Sequence, residues 1–313
     1  MLSLIQIIAP VFLLIALGYG LGRGQVFSPD QVRGFGRLVL LVALPALIFN
    51  ALANARMATV FRPDYLLVYG LASLGSFALG YGWFRRQADV ATSAVRALGM
   101  SCSNTAFVGL PILTQLLGAA AAGPVALNML IENLVMMPLV LALVEAGRSR
   151  HSHPLRMAKT IAGGLVRTPM LIAIVLGGLF SVAGLALPAP AAKAVGILAG
   201  ASAPLALMTI GASLAGVSLH GRRGSIAAIT LGKLVVHPLL VLGVLMLVPV
   251  ADPQFHMAVL LLAAMPMVSV FPILAQRADD AETCSAALLV ATVVAFVTLV
   301  AVMLMLGVQL PQR

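Results

Sequence analysis

The sequence predicts an all-α integral membrane protein of about ten transmembrane helices, arranged as two inverted five-helix repeats with broken crossover helices in the fourth and ninth positions. Three observations lead there. Of 313 residues, 61% are hydrophobic and only 9% charged, with a mean hydropathy of +1.10. A soluble domain carries about 25% charged residues, and apolar burial grows too slowly with size to hide this much apolar surface in a soluble fold. The second observation is that apolar runs repeatedly reach bilayer-spanning length. The third is an internal echo: residues 109–115 read G-L-P-I-L-T-Q and residues 270–276 read V-F-P-I-L-A-Q.

Taken in order, the apolar runs place spans at 3–22, 35–53, 64–84, 92–117, 122–146, 168–187, 191–217, 225–250, 254–276 and 283–308. The first has no basic residue before Arg23 and no small-residue cleavage site, so it reads as a retained helix rather than a signal peptide. A basic stretch, 147–167, with Arg148, Arg150, His151, His153, Arg156, Lys159 and Arg167, divides a first repeat (1–146) from a second (168–313).

Orientation follows from where lysine and arginine fall. With both termini non-cytoplasmic, the cytoplasmic connections hold Arg23, Arg33, Arg37, Arg85, Arg86, Arg96, the five basic residues from Arg148 to Arg167, Arg222, Arg223 and Arg277. The opposite side holds Arg56, Arg62, Lys193 and Arg313. Trp83 beside Arg85 and Arg86 suits an interfacial aromatic belt. The net charge of +10 therefore reads as membrane anchoring rather than nucleic-acid binding. Cys102 and Cys284 stand in or beside apolar segments without metal-ligand neighbours, so neither a disulfide framework nor a metal site is expected, and no cofactor.

The repeated heptapeptide closes the fourth span in one copy and the ninth in the other, at an offset of 161. The same offset sets L-P-A-L at 44–47 over L-A-L-M at 205–208. Five spans per repeat is odd, so the second repeat runs inverted. Both echoing spans carry proline, Pro111 in the fourth, Pro266 and Pro272 in the ninth. Proline removes a helix donor and clashes one turn back. Broken backbone at membrane depth survives only against protein or a water-filled cavity, and two such breaks in corresponding places point to a midplane binding site. Ser103, Asn104, Thr105 and Ser269 supply polar side chains there. A broken helix offers N–H groups suited to a carboxylate at its N-terminal end and carbonyls suited to a cation at the other.

Charged residues inside spans are costly and by default functional. Glu132 sits mid-span in the fifth helix, with Asn128 one turn earlier and Asn133 beside it. Its alternatives are a proton-coupling carboxyl and a neutral group bonded between helices. Lys233 and His237 share a face of the eighth helix. Lys233 either snorkels to the cytoplasmic surface or faces a cavity. His237, before Pro238, either neighbours a helix break or moves protons. Asn50 in the second span is a further candidate, alternatively a helix–helix hydrogen bond.

Some signals carry no function. Gly18, Gly20 and Gly22 spell G-x-G-x-G inside a span with no strand before it, which is not a dinucleotide fingerprint. Small residues at Gly200–Ala203 and Gly211–Ser213 allow close helix packing. Asp279, Asp280 and Glu282 beside Arg277 read as a solvated cytoplasmic cluster, or as a gate salt bridge. A channel would need a recurring polar stripe, which the spans are not expected to carry. An enzyme would need a convergent catalytic set, which no motif supplies.

The stretches S-N-T-A-F-V-G-L-P-I-L around Asn104, L-P-A-L-I-F-N in the second span and A-A-M-P-M-V-S-V-F-P-I-L-A in the ninth resemble the auxin efflux carrier family, over Ile5 to Gly307. The resemblance implies a ten-helix fold with a scaffold domain and a transport domain, in which the fourth and ninth helices cross at the substrate. Asn104 and Pro111 match the first crossover, Pro266 and Pro272 the second. Plant members place an asparagine in the second crossover, where this chain has Met265, Met267 and Ser269; they also carry a long loop missing here. Bacterial members are regarded as malonate or other organic-acid carriers. The resemblance thus implies a secondary active transporter of a small organic anion in a bacterial inner membrane, coupled to a proton or, as in the bile-acid symporters of similar architecture, to sodium. A homodimer is compatible with it.

Overall fold

The computed structural model describes residues 2–55, 60–148, 163, 168–217 and 222–307, with the side chains of 2–8 and 148 left aside. The basic stretch expected to divide the repeats falls mostly outside these residues. Among them the chain is helical throughout, and its one isolated extended pairing is Ser103 against Met267.

Twelve helical segments follow in order. α1 is Leu2–Arg23, α2 is Pro29–Ala53 and α3 is Pro63–Phe84. α4 is Val90–Ser101 and α5 is Leu110–Leu117. α6 runs from Ala122–Ile131 through a π-helical turn to Met137–Arg148. α7 is Pro169–Ala183, α8 is Ala189–Leu214 and α9 is Arg223–Leu247. α10 is Pro253–Ala263, α11 is Phe271–Ala275 and α12 is Ala281–Met305.

The starts are chemically specified. Ser28 and Gln31 form a capping box before Pro29. Asp89 and Asp252 cap α4 and α10 with their carboxylates. Proline stands in the first turn of α2, α3, α7, α10 and α11, where its missing N–H costs nothing.

By length and apolarity six helices qualify as membrane-crossing among the described residues, fewer than the ten spans expected. Part of the difference is that α1 counts only from Ala9 when its first residues are left aside; the rest has a physical source. α7 and α10, with 15 and 11 residues, are short, and the fourth and ninth expected spans are each two pieces. The second piece of the fourth is joined to the fifth by a 3-10 turn, Gly118–Ala121, so that the two run together from Thr105 to Gly147. Gly118, at φ +58, turns the chain within that run. Large apolar side chains face outward around the bundle, among them Leu13, Leu79, Val182 and Val297, as a hydrocarbon solvent permits.

Packing divides the segments into two groups. α1 lies along α8, α7 along α2, and α2 against α8. In the other group α3 packs on α4 and α9, α4 on α6, and α12 on α9 and α11. The first group is drawn tight by glycine. A Cβ on Gly18 would collide with the Met208 backbone, and one on Gly211 with the backbone of Ile15 and Tyr19. Gly18 and Gly22 of the G-x-G-x-G run are therefore helix-packing positions, while Gly20 faces open space.

Candidate functional site

The site starts from the two breaks. α4 ends at Ser101, and Cys102 to Asn104 run extended or irregular before a π-helical turn, Thr105–Gly109, leads into α5. α10 ends at Ala263, and the chain is irregular until Phe271. The two interruptions cross and exchange a pair of backbone hydrogen bonds. Asn104 N–H donates to the Pro266 carbonyl at 2.7 Å, and Val268 N–H donates to the Cys102 carbonyl at 3.2 Å. Each break thereby satisfies backbone groups the other exposes.

Asn104 ties the crossing together. Its Oδ1 accepts from Phe107 N–H at 3.3 Å, capping the π turn, and its Nδ2 donates to Ser269 Oγ at 2.7 Å. Asn104 is 2% exposed. Ser103 and Thr105 turn the other way, to Glu132. One oxygen of that carboxyl, Oε1, accepts from Tyr69 Oη at 2.7 Å, Thr105 Oγ1 at 2.9 Å and Ser103 N–H at 3.0 Å. Asn128 extends the network by donating to Thr105 Oγ1 and accepting from Tyr65 Oη. Glu132 opens its own π-helical turn, Glu132–Met136, a distortion frequent at functional sites.

The second crossover has a different neighbour. Lys233, in the π-helical turn Gly232–Val236 of α9, places Nζ 2.5 Å from the Ala263 carbonyl and 3.0 Å from His237 Nδ1. His237 Nε2 lies 3.1 Å from Ser73 Oγ. Both residues are fully buried. Snorkelling of Lys233 to the surface is thus overturned: the carbonyl at the end of α10 holds its Nζ inside.

A cavity of about 270 Å³ adjoins the crossing. Cys102 to Phe107, Glu132, Asn133 and Val268 to Val270 line one side; Leu40 and Leu41 of α2 and Thr168 to Met170 at the start of α7 line the other. A second cavity of about 490 Å³ lies toward the opposite end of α2, lined by Asn50, Asn54, Thr114, Asp252 and Gln254 among others. Asn50 is therefore separated from the crossover, its carbonyl accepting from Asn54 Nδ2. Pro111 and Pro266 are buried, and neither they nor Pro272 lines the first cavity; they belong to the breaks. No cluster of His, Cys, Asp and Glu among the described residues is suited to a metal.

Two features escaped the sequence reading. Tyr65, Tyr69, Ser73 and Ser76 form a buried polar stripe on α3, at spacings of four and three, bonded to Asn128, Glu132, His237 and the Met100 carbonyl. The expectation of no recurring polar stripe fails for this helix; the i, i+4 spacing was the available signal. The stripe is consumed in helix–helix hydrogen bonds rather than lining a pore. The other is Arg96, counted with the cytoplasmic loops but 1% exposed within α4. It bonds Asp280 through Nε at 2.7 Å and Nη2 at 2.9 Å, and Ser225 through Nη1 at 3.0 Å. Asp280 thus leaves the solvated cluster expected around Arg277.

At the loop ends, Asp89 and Asp252 both titrate below the usual carboxylate range. Partial burial works against ionisation, but hydrogen bonds outweigh it: backbone and hydroxyl donors of Thr92 for Asp89, and the Arg62 side chain with Phe255 and Gln254 N–H for Asp252.

Comparison with known proteins adds the family. The membrane transport protein family matches residues 3–303. A protein of Rhizobium meliloti (strain 1021) named "Putative malonate transporter" is 29% identical over 302 residues, covering 95% of this chain and 94% of that protein. YfdV of Escherichia coli (strain K12), named an uncharacterized transporter, is 28% identical over 92% of each chain. An uncharacterized transporter of Methanothermobacter thermautotrophicus is 26% identical over 94% of this chain and 95% of its own length.

Proposed function

This chain belongs to the membrane transport protein family, as its resemblance to the auxin efflux carriers implied, and from that premise we propose that it is a secondary active carrier of a small organic anion, malonate or a related carboxylate. The observation that carries the reading is the crossing of two broken helices beside a cavity of about 270 Å³, with Asn104 bonded across both breaks. That volume lies just under the ~300–1,000 Å³ of drug-sized sites, which suits a small acid. Asn104 Nδ2, Ser269 Oγ and the positive end of the helical run starting at Thr105 supply donors for a carboxylate.

Transport proceeds by alternating access. The cavity lies between the α1–α2–α7–α8 group and the crossing, and the second cavity lies toward the other end of the same boundary. Sliding one group past the other would open each cavity in turn. Ten spans in two inverted repeats are supported by the exchanged hydrogen bonds. Adding 164 to Asn104 and Cys102 gives Val268 and Pro266, so each bond maps onto the other with its partners reversed. The paired contacts of α1 with α8 and α7 with α2 accord with the same symmetry. The balance of basic residues favours non-cytoplasmic termini, and the bacterial relatives favour an inner-membrane setting.

Glu132 handles a coupling proton. Among the described residues it is the one charged residue lining the cavity, beside Ser103, Asn104 and Thr105. Two negative charges in one small cavity repel, so anion and proton bind together more favourably than either alone. The test is uptake of a carboxylate panel, malonate included, by proteoliposomes under a pH gradient. The reading predicts saturable, gradient-driven uptake of at least one acid, reduced about tenfold or more in Asn104→Ala. No uptake of any acid, or uptake indifferent to Asn104→Ala, overturns it.

A further inference from the structure

Lys233 has a place in the fold that the carrier reading leaves unexplained. Arg96 and Lys233 are both fully buried basic side chains, but only Arg96 is paired with a carboxylate among the described residues. Lys233 instead gives its Nζ to the Ala263 carbonyl and to His237 Nδ1. Ala263 is the last residue of α10, so this carbonyl is one that the broken helix leaves without an intrahelical partner. Such an end carries partial negative charge. In carriers with broken helices it is a place where a coupling cation is held by backbone oxygens.

The rest of the pocket agrees with a resident ammonium. The Ala263 carbonyl can only accept from Nζ, and His237 Nδ1 accepts as well in the tautomer that carries its proton on Nε2, facing Ser73 Oγ at 3.1 Å. The π-helical turn carrying Lys233 sits where a Cβ on Gly232 would collide with Met100, so the glycine lets α9 approach α4 closely enough for the lysine to reach the end of α10.

We propose that Lys233 is a tethered cation. Its ammonium stands at the second crossover in the position a sodium ion would take, so the carrier needs no sodium. The inference rests on the carrier reading for its meaning. Its test is independent of any transported acid, because it reads the response of the folded protein to cations.

The experiment is thermal unfolding of the purified full-length chain in sodium chloride and in choline chloride at equal ionic strength. Wild type is expected to unfold at the same temperature in both. Lys233→Ala should lower Tm by about 5 °C and recover roughly half of that loss in n-propylammonium chloride, which restores the removed amine. Tetramethylammonium, which has no N–H, should not restore it. Neither should n-propylammonium act on Lys233→Met, whose side chain fills the space. Stabilisation of wild type by sodium over choline would overturn the proposal, as would a Lys233→Ala protein indifferent to n-propylammonium. Where Lys233→Ala fails to fold, the sodium–choline comparison on wild type decides. Failure of the carrier reading would appear separately, as absent uptake with these ion responses intact.

Discussion

The two crossovers solve one problem with opposite kinds of side chain, an acid at one and a base at the other. Both interrupt a helix deep in the bundle, and each lends the other a backbone hydrogen bond. At the first, the exposed N–H of Ser103 is taken by the Glu132 carboxyl from α6. At the second, the exposed carbonyl of Ala263 is taken by the Lys233 ammonium from α9. Side chains differ as well: Asn104 and Thr105 make the first polar, whereas Met265 and Met267 leave Ser269 as the second's hydroxyl. The first also carries a π turn between the crossing and its proline, while the second reaches Pro272 in fewer residues. The lesson is a division of labour. On the proposed carrier reading, the first crossover supplies most of the recognition, the second is held against it, and a neighbouring helix brings an ionisable side chain to each.

The sharpest way to break that division is Glu132→Ala. Three buried donors lose their acceptor, each costing about 1–3 kcal/mol, so the loss should reach at least about 3 kcal/mol. Glu132→Gln keeps an acceptor, and it should retain most of the stability while losing the pH dependence of uptake. Thermal unfolding and uptake at two pH values separate these outcomes.

Next in size is the tie between α4, the first piece of the first broken helix, and the start of α12. Asp280→Ala leaves Arg96 buried without its carboxylate, a change that costs about 3–5 kcal/mol in buried pairs. Urea or thermal unfolding would read it. The exposed pair Arg33–Asp30 should contribute less than about 1 kcal/mol.

Recognition itself is compared through Asn104→Ala and Ser269→Ala. Asn104 makes contacts on both sides of the crossing and Ser269 on one. Asn104→Ala should reduce uptake about tenfold or more, corresponding to about 1.4 kcal/mol, and Ser269→Ala less. Equal losses would remove the asymmetry.

The smallest effect is at the caps. Asp89→Ala and Asp252→Ala should each cost about 1 kcal/mol near neutral pH. Both carboxyls titrate low in the folded protein. Their contribution is therefore complete above the unfolded value of about 3.9 and is lost as pH falls through the lower, folded value. Acid titration of stability in the variants should lack that step.

Much of this was written locally and could be read from the sequence. Apolar run length announced the membrane, and Pro111, Pro266 and Pro272 marked both breaks. Ser103, Asn104, Thr105, Ser269, Glu132 and Asn128 do come together around the crossing. What stayed hidden depends on distant partners or on direction. Arg96 and Asp280 are 184 positions apart, and an arginine near a span end is indistinguishable from a loop charge until its partner is in place. Lysine stems can bend either way, so only the end of α10 decides that Lys233 points inward. Asn50 was drawn to the site by its polarity, but its depth along α2 puts it at the other cavity. The tyrosines of α3 hid behind their apolar rings, although Tyr65 and Tyr69 share a face with Ser73.

The central claim, that substrate is received at the first crossover, is tested most directly by ligand-induced thermal stabilisation of purified protein. A carboxylate that wild type transports should raise Tm in wild type and in Asn50→Ala, but not in Asn104→Ala. Stabilisation kept in Asn104→Ala and lost in Asn50→Ala would move recognition to the other cavity and contradict the account.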